Sequence, residues 1–567
     1  MELWENYFQL VPTPPAKILV VSQTDACTTG DLYFSTIQDA VNAANDNDTI
    51  IVCPGTYKEN VVVNKSLEIR SYSQNTSDTI VEANNSDDHV FYVTADNVTI
   101  SGFSVIGATG YEKAGIGYEK AGIYLYNSNY SRIENVNASN NWVGILFWVS
   151  SNNIIANNIV SNNDGGIFLD SSNNNTMANN TVLNNWVGIL FWVSSNNIIA
   201  NNTFLLNGMF VFDSYNNTVT NNTVNSKPLV YLENVNNYVV EDAGQVIAVN
   251  SHNITVENLN ISYASVGVEF WNTTSSKIIN NTVSSNSWDG IYLDESSNNT
   301  IANNTVSSNS WGGIDLWSSN NNIIAGNTVS NNDDGIYLDY STNNTIYLNN
   351  FINNTDNVYS YSSTNIWNST SKITYTYNGN QYTNYLGNYW SDYTGSDADG
   401  DGIGDTAYSI DSDKDNYPLM EPFKIYLAPI ENIFDTGVPA NPYPSIPGTH
   451  TGNIIPSQDI TVHKIYTYPC AGTGGHTEYV RIWNDTWPGK EAYWSGYQHD
   501  WHNITFDEPF TLFAKRTYHY EIITGSYPQI IHKPEHTALD GSYINCTSFV
   551  DANGKTYTDW IPAIRIE

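Results

Sequence analysis

The chain has 567 residues, with 57 Asp and Glu against 20 Lys and Arg, and a formal net charge of −37. That length exceeds one ordinary compact core and leaves room for two or three domains or one elongated one. Such acidity makes nucleic acid and anionic membrane poor partners, while 40% hydrophobic and only 14% charged residues argue against a disordered acidic tail.

Residues 1–20 are set apart as an N-terminal arm. Met1 to Gln23 has no basic n-region and only a short apolar stretch, Ile18 to Val21, so the expectation is a chain written after processing or missing its true start. No apolar run approaches the roughly 18 residues of a membrane span. From Phe34, FSTIQDAVNAANDNDTIIVCPGTYKENVVV predicts an amphipathic helix followed by strand.

Internal repeats then take over. NNWVGILFWVSSNNIIANN stands at 140–158 and again, letter for letter, at 184–202, with GIFLDSSNNNTMANN between them. Glycines open a hydrophobic strand at Gly122, Gly144, Gly166 and Gly188, 22 apart, with Met209 expected in the next slot. They return at Gly267, Gly290, Gly313 and Gly335, 22 or 23 apart, and Asn-Asn pairs such as Asn157-Asn158 and Asn179-Asn180 follow the strands. Each unit is short, β-branched and alternating, which is strand periodicity. Three strands and three turns in about 22 residues make one coil of a parallel β-helix. Asn at the corners tolerates left-handed turns and can bond one coil to the next.

The repeats, the leading helix and the terminal segment NYLGNYWSDYTGSDADGDGIGDTAYSIDSDKDNYPLM resemble the right-handed parallel β-helix superfamily of pectate lyases. They are more similar to the NosD-like repeat proteins of archaeal cell surfaces, over most of residues 20–420. The resemblance implies that the helix plugs the open end of the bore. It says little about activity, since one β-helix serves lyases, adhesins and envelope proteins alike. The expected fold class is all-β: a β-helix over 21–395 at about 22–23 residues per coil, an Asp-rich calcium-binding junction at 396–424, and an antiparallel β-sandwich at 425–567. Roughly fifteen coils would stack into one rod. The sandwich resembles a C-terminal domain that recurs beside such repeats in archaeal surface proteins.

Five sets of residues are candidates for chemistry. Asp397, Asp399, Asp401 and Asp405 alternate with small residues, the pattern of a hard-cation loop to which Ile403 would add its carbonyl. It resembles an EF-hand loop but has Tyr408 at the twelfth position, so it is closer to dockerin or thrombospondin-type loops. Asp411, Asp413 and Asp415 would complete the shell or hold a second calcium; the rival reading is a solvated acidic turn. On the outward face, Trp148, Trp192, Trp271 and Trp317 alternate with Asp170, Asp213, Asp294 and Asp339, with Asp315 beside them. That face suits sugar stacking, subunit packing or plain side-chain ladders. Carboxylates there could serve a polysaccharide hydrolase, but the basic residues a lyase needs are scarce in the repeats, so no catalytic residue is assigned.

Cys27 with Cys53 and Cys470 with Cys546 are read as two disulfides of an oxidising compartment, the rival being buried free thiols. His476 with Glu478, His499, His502, His532 and His536 would be the ligands if copper or zinc bound; the resemblance to NosD, which is linked to copper maturation, suggests copper, but this ranks behind calcium. Asn64, Asn97, Asn137, Asn253, Asn272, Asn368, Asn484 and Asn503 are candidate glycosylation sites among about two dozen sequons. The expected function is an extracellular structural or adhesive envelope protein that self-associates into a layer, sheath or filament. Polysaccharide binding or degradation is the first alternative and copper handling the second.

Overall fold

The computed structural model describes residues 15–110, 120–378, 380–411, 413–427, 433–498 and 500–567. They form two compact units, Met1–Leu427 and Ala428–Glu567. The first is a parallel β-helix whose first strand, Ile18–Val21, begins inside the segment set apart as an arm. A typical coil contributes Val143–Trp148, Ile154–Ala156 and Ile159–Ser161, each paired in parallel with its counterpart in the next coil. Ile145, Phe147, Ile155 and Val160 point inward and are fully buried, as alternation requires. Gly144 opens the longest strand because the bore is tightest there: a Cβ would lie 2.4 Å from Val160 Cγ1 and 2.8 Å from the Gly166 carbonyl.

The Asn-Asn pairs divide the work of a corner. The first residue takes a left-handed conformation, φ 58° at Asn157 and 57° at Asn179, which Asn tolerates better than most residues. The second is buried and belongs to a ladder. Asn180 Oδ1 accepts the Asn158 backbone N–H at 3.0 Å and the Asn158 side-chain amide at 3.0 Å. Its own amide donates to the Ile155 carbonyl and to Asn202 Oδ1. The same bonds repeat through Asn281, Asn304, Asn327, Asn349 and Asn388.

One uninterrupted rod is not what forms. The coil after Gly188 is two residues shorter, so Gly208 lies against Gly188 and Met209 pairs with Ile189 instead of filling the glycine slot. Asn225 and Ser226, both at positive φ, then reverse the chain, and Lys227–Glu233 runs antiparallel to Thr223–Val224. One fifteen-stranded sheet continues across this reversal while the other two restart, giving two stacks with separate cores. Leu229, Ile247, Val249 and Trp271 of the second stack pack into the core of the first.

Each open end of the bore is closed. At the start lies the helix Ile37–Ala43, N-capped by Thr36, with Ile37, Ala40 and Val41 buried. Glu59 accepts the Ile37 and Gln38 N–H groups at its N-terminus, a satisfied helix end. At the far end Trp367, Trp390 and Ile410 complete the core. A hairpin of Tyr408–Ile410 and Asp413–Asp415 covers the last coil. The second unit is antiparallel: a four-stranded and a larger seven-stranded sheet share one core that includes Ile465, Ile482, Tyr520 and Phe549.

Replacing Asn180 with Ala strands the Asn158 N–H and the Ile155 carbonyl in the interior and should cost about 3 kcal/mol. Asn179→Ala should cost about 1 kcal/mol, the left-handed penalty alone, and Asn179→Gly less than that; urea unfolding of the three variants measures the order.

Candidate functional site

In the Asp-rich loop three of the expected carboxylates come together. Asp397, Asp399 and Asp401 each bring a carboxylate oxygen within 4.8 Å of the others, and no other group of three or more His, Cys, Asp or Glu does so among the described residues. Gly402, at the sixth position, has φ +87°, where a side chain would be strained. Asp397 holds the turn by accepting the Gly400 and Gly402 N–H groups at 2.8 and 2.9 Å. Tyr375 and Tyr382 donate to the Asp401 and Gly400 carbonyls from outside, which fixes the loop on a packed aromatic layer. Burial, with Asp399 and Asp397 adding to it, raises the Asp401 pKa. Among the described ion pairs none involves a carboxylate of this loop. Clustered hard oxygens lacking a protein cation fit calcium.

Asp405, Asp411, Asp413 and Asp415 are not in that group. Asp405 accepts from Ser396 Oγ and the Ala398 N–H, and the Ile403 backbone bridges to Leu419. Asp411, Asp413 and Asp415 accept N–H groups of the final coil, from Ser360 at 2.9 Å, Asn365 at 2.7 Å and Asn388 at 2.8 Å. Here alternating carboxylates substitute for the strand that a further coil would have supplied.

The outward Trp/Asp row is broken up. Trp192 and Trp317 are exposed, at 44% and 39%, and Trp148 is half-buried. Trp271 is 3% exposed, against Tyr215 with ring centres 4.2 Å apart. Asp294, Asp315 and Asp339 are buried too. Phe212, not Asp213, stacks on Trp192 at 4.1 Å, because the shortened coil shifts the register by one.

Part of the cover is the contact between the stacks. The edge strand Met209–Phe212 lies against the face of the second stack. Gln245 Oε1 accepts the Met209 N–H, Glu269 Oε1 accepts the Val211 N–H at 3.0 Å, and Ser265 Oγ accepts the Gly208 N–H. Trp186 stacks on Trp288 at 5.3 Å, and Phe210 packs tilted against Trp288 at 4.7 Å. An exposed edge is thereby satisfied without a further strand. Sequence reading missed Glu269 and Asp289, both buried beside Asp294 and Asp315; Glu269, second after Gly267, stands in the outward register, whereas Asp289 directly precedes Gly290 and falls outside that count.

Cys27 and Cys53 form a disulfide. Cys470 and Cys546 do not: both are buried free thiols. Cys546 is level with Gly452 and, across it, with Tyr520, whereas the Cys470 N–H bonds to the Tyr527 carbonyl beyond the end of that strand. Five residues of extended strand span about 16 Å, well past the reach of a disulfide. Under denaturant without reductant, thiol labelling should therefore modify two cysteines, where a second disulfide would leave none.

The histidines serve separate contacts. His476 bonds to the Gly474 carbonyl and stacks on Trp494 at 3.7 Å, with Glu478 3.7 Å away. His502 bonds to the Gly475 carbonyl, His536 to the Thr436 carbonyl, and His532 meets Trp560 edge-on. His499 lies outside the described residues. Of the candidate glycosylation sites, Asn64, Asn97, Asn253 and Asn272 are exposed, and Asn137, Asn368, Asn484 and Asn503 are half-buried. Repeat sequons such as Asn179-Asn180-Thr181 follow from the corner geometry itself and carry no independent weight.

The NosD family, described as periplasmic copper-binding protein, matches residues 41–241 and 231–395. A cell surface glycoprotein of Methanothermus fervidus is 40% identical over 76 residues, which is 13% of this chain and 12% of that relative. Among solved structures, the A-module of the Azotobacter vinelandii mannuronan C-5 epimerase AlgE6 matches at 13% identity and TM-score 0.30, over 58% of this chain and 91% of that one. The Dettilon tailspike protein matches at 12% and 0.31, over 88% of each chain. The catalytic unit of a Streptomyces thermodiastaticus α-1,3-glucanase matches at 13% and 0.31, over 58% and 66%. At these scores the likeness carries no argument about activity.

If the loop binds calcium, added calcium should raise the melting temperature of the wild type, by the equivalent of about 2.7 kcal/mol at a hundred times Kd, and leave Asp399→Ala unmoved. Asp413→Ala should be less stable with or without calcium, since it removes acceptors for Asn365 and Trp367.

Proposed function

The chain belongs to the NosD family, and we propose that it is an extracellular structural or adhesive protein of a cell surface, a calcium-stabilised and N-glycosylated subunit of a layer, sheath or filament. The observation that carries this reading is the laddered stack. Buried Asn and Ser columns lock coil to coil, so the outer surface is a lattice in which a few side-chain types recur along each column, as where Ile154, Thr176, Ile198 and Thr218 succeed one another in the first stack and Thr300, Ile323 and Thr345 in the second. A surface of that kind offers one contact many times over, which suits assembly. The short match to a cell surface glycoprotein supports the setting.

Polysaccharide binding ranks second, with Trp192 and Trp317 as stacking platforms; burial of Asp294, Asp315 and Asp339 weighs against turnover. Copper handling, which the family's description suggests, ranks third.

Negative-stain electron microscopy of purified protein, in millimolar calcium and again after EDTA, tests the proposal. Sheets, tubes or fibres that disperse in EDTA are the expected result. Isolated particles under both conditions would count against self-assembly and move polysaccharide binding, assayed with Trp192→Ala, to first place.

A further inference from the structure

The face of the second stack, at its contact with the first and in the coils just beyond, contains a concentration of acid. Glu269 is completely buried; one oxygen accepts the Val211 N–H, and the other, Oε2, has no partner. In its column, Glu269 is followed by Tyr292 and then Asp315, while Trp271, Asp294, Trp317 and Asp339 form the next column. Asp315 Oδ1 and Asp339 Oδ1 are also buried without a partner. Asp289 is buried and accepts the Gly312 N–H at 2.7 Å.

The charged groups facing these acids are other acids. Around Glu269 stand Asp294 and Asp289, and around Asp315 stand Asp289, Asp334, Asp294 and Asp339. Glu295 and Asp213 flank Asp294, the latter from the first stack, where Tyr215 also approaches. Among the described residues no Lys, Arg or His pairs with any of these buried acids. Unpaired carboxylates cannot be held in such a place as anions without large cost. A shared cation is one remedy, but the oxygens do not converge as those of the Asp397 loop do. A proton on each acid is the other.

We propose that the contact between the stacks is a proton-operated clasp, closed while its buried acids are protonated and loosened as they ionise. Burial is the first cause of every shift, with neighbouring acids adding to it: Asp294 and Asp334 rise to about 6, Asp289 to about 7, and Glu269 and Asp315 rise well above the ordinary carboxylate range. The sign follows from linkage. These acids bind protons more tightly folded than unfolded, so their stabilisation is whole below about pH 4 and is lost as pH rises through 6 and 7. The element released first is the strand Met209–Phe212, whose N–H groups rest on Gln245 and Glu269.

Hydrogen exchange of the full chain tests this at the Met209 and Val211 amides, corrected for intrinsic exchange rates. Protection should fall between pH 5 and pH 8, by up to tenfold per pH unit for each acid that must ionise. Glu269→Gln keeps the acceptor for Val211 and should flatten that fall. Asp315→Asn touches no backbone bond and should flatten it independently, while the exposed Asp25→Asn should not. Equal pH slopes in the wild type and in both buried-acid variants would overturn the proposal. So would restoration of protection at pH 8 by millimolar calcium in an Asp399→Ala background, since that would make the clasp a cation site.

Discussion

The coils from Asn141 to Asn222 and from Asn281 to Asn388 depend on the hydrogen bond between a buried asparagine amide and the coil beside it. A parallel β-helix turns three corners in about 22 residues, and each corner breaks the strand ladder and turns backbone groups into the interior. Such groups must be bonded. Asn is the residue that does this with one side chain, because its oxygen accepts a neighbouring N–H while its amide reaches a carbonyl. Asn158, Asn180, Asn202 and Asn222 perform it in turn. The residue before each must be left-handed, so a second Asn precedes it, and Thr or Ile resumes the strand. The composition of the chain, rich in Asn and poor in charge, is therefore a requirement of the corners.

A ladder satisfied along its length remains unsatisfied at its ends, and the three closures differ in kind. The helix Ile37–Ala43 closes the first end by apolar packing. The reversal at Asn225 and Ser226 closes the second by laying the side of the next stack over it, with Gln245, Glu269 and Ser265 meeting the free N–H groups. The last closure uses Asp411, Asp413 and Asp415 as a row of acceptors. Only the first places no carboxylate against an exposed strand edge. This is where much of the functional ambiguity of the sequence comes from, because capping acids and binding acids have the same spacing.

That ambiguity sets what was legible. The period, the inward and outward faces and the corner asparagines could be read because each is local and repeated. The Asp397–Asp401 turn could be read because its glycines and carboxylates act within a few residues of one another. The fate of Trp271 could not, since the ring that covers it, Tyr215, belongs to the other stack. Nor could the Gly208 register, where a coil two residues shorter still keeps its hydrophobic alternation and merely moves Phe212 into the place expected for Asp213. Cys470 and Cys546 looked like a pair only because nothing local records that Cys546 lies inside a strand and Cys470 in a loop beyond the end of a different one.

Two acid clusters in one chain show how geometry selects the remedy for crowded carboxylates. In the Asp397 loop, consecutive turns aim oxygens at a common point, and the site is partly open to water. A divalent ion can enter and neutralise several carboxylates at once. On the face of the second stack, side chains from successive coils lie roughly 4.8 Å apart along the column and point in parallel, so their oxygens diverge from any single centre. The face is covered there by Trp186, Phe210 and Tyr215 of the first stack. A proton can neutralise each acid separately. A β-helix face that collects carboxylates and is then covered is thus biased toward sensing pH, whereas the same residues on a tight loop are biased toward holding a metal.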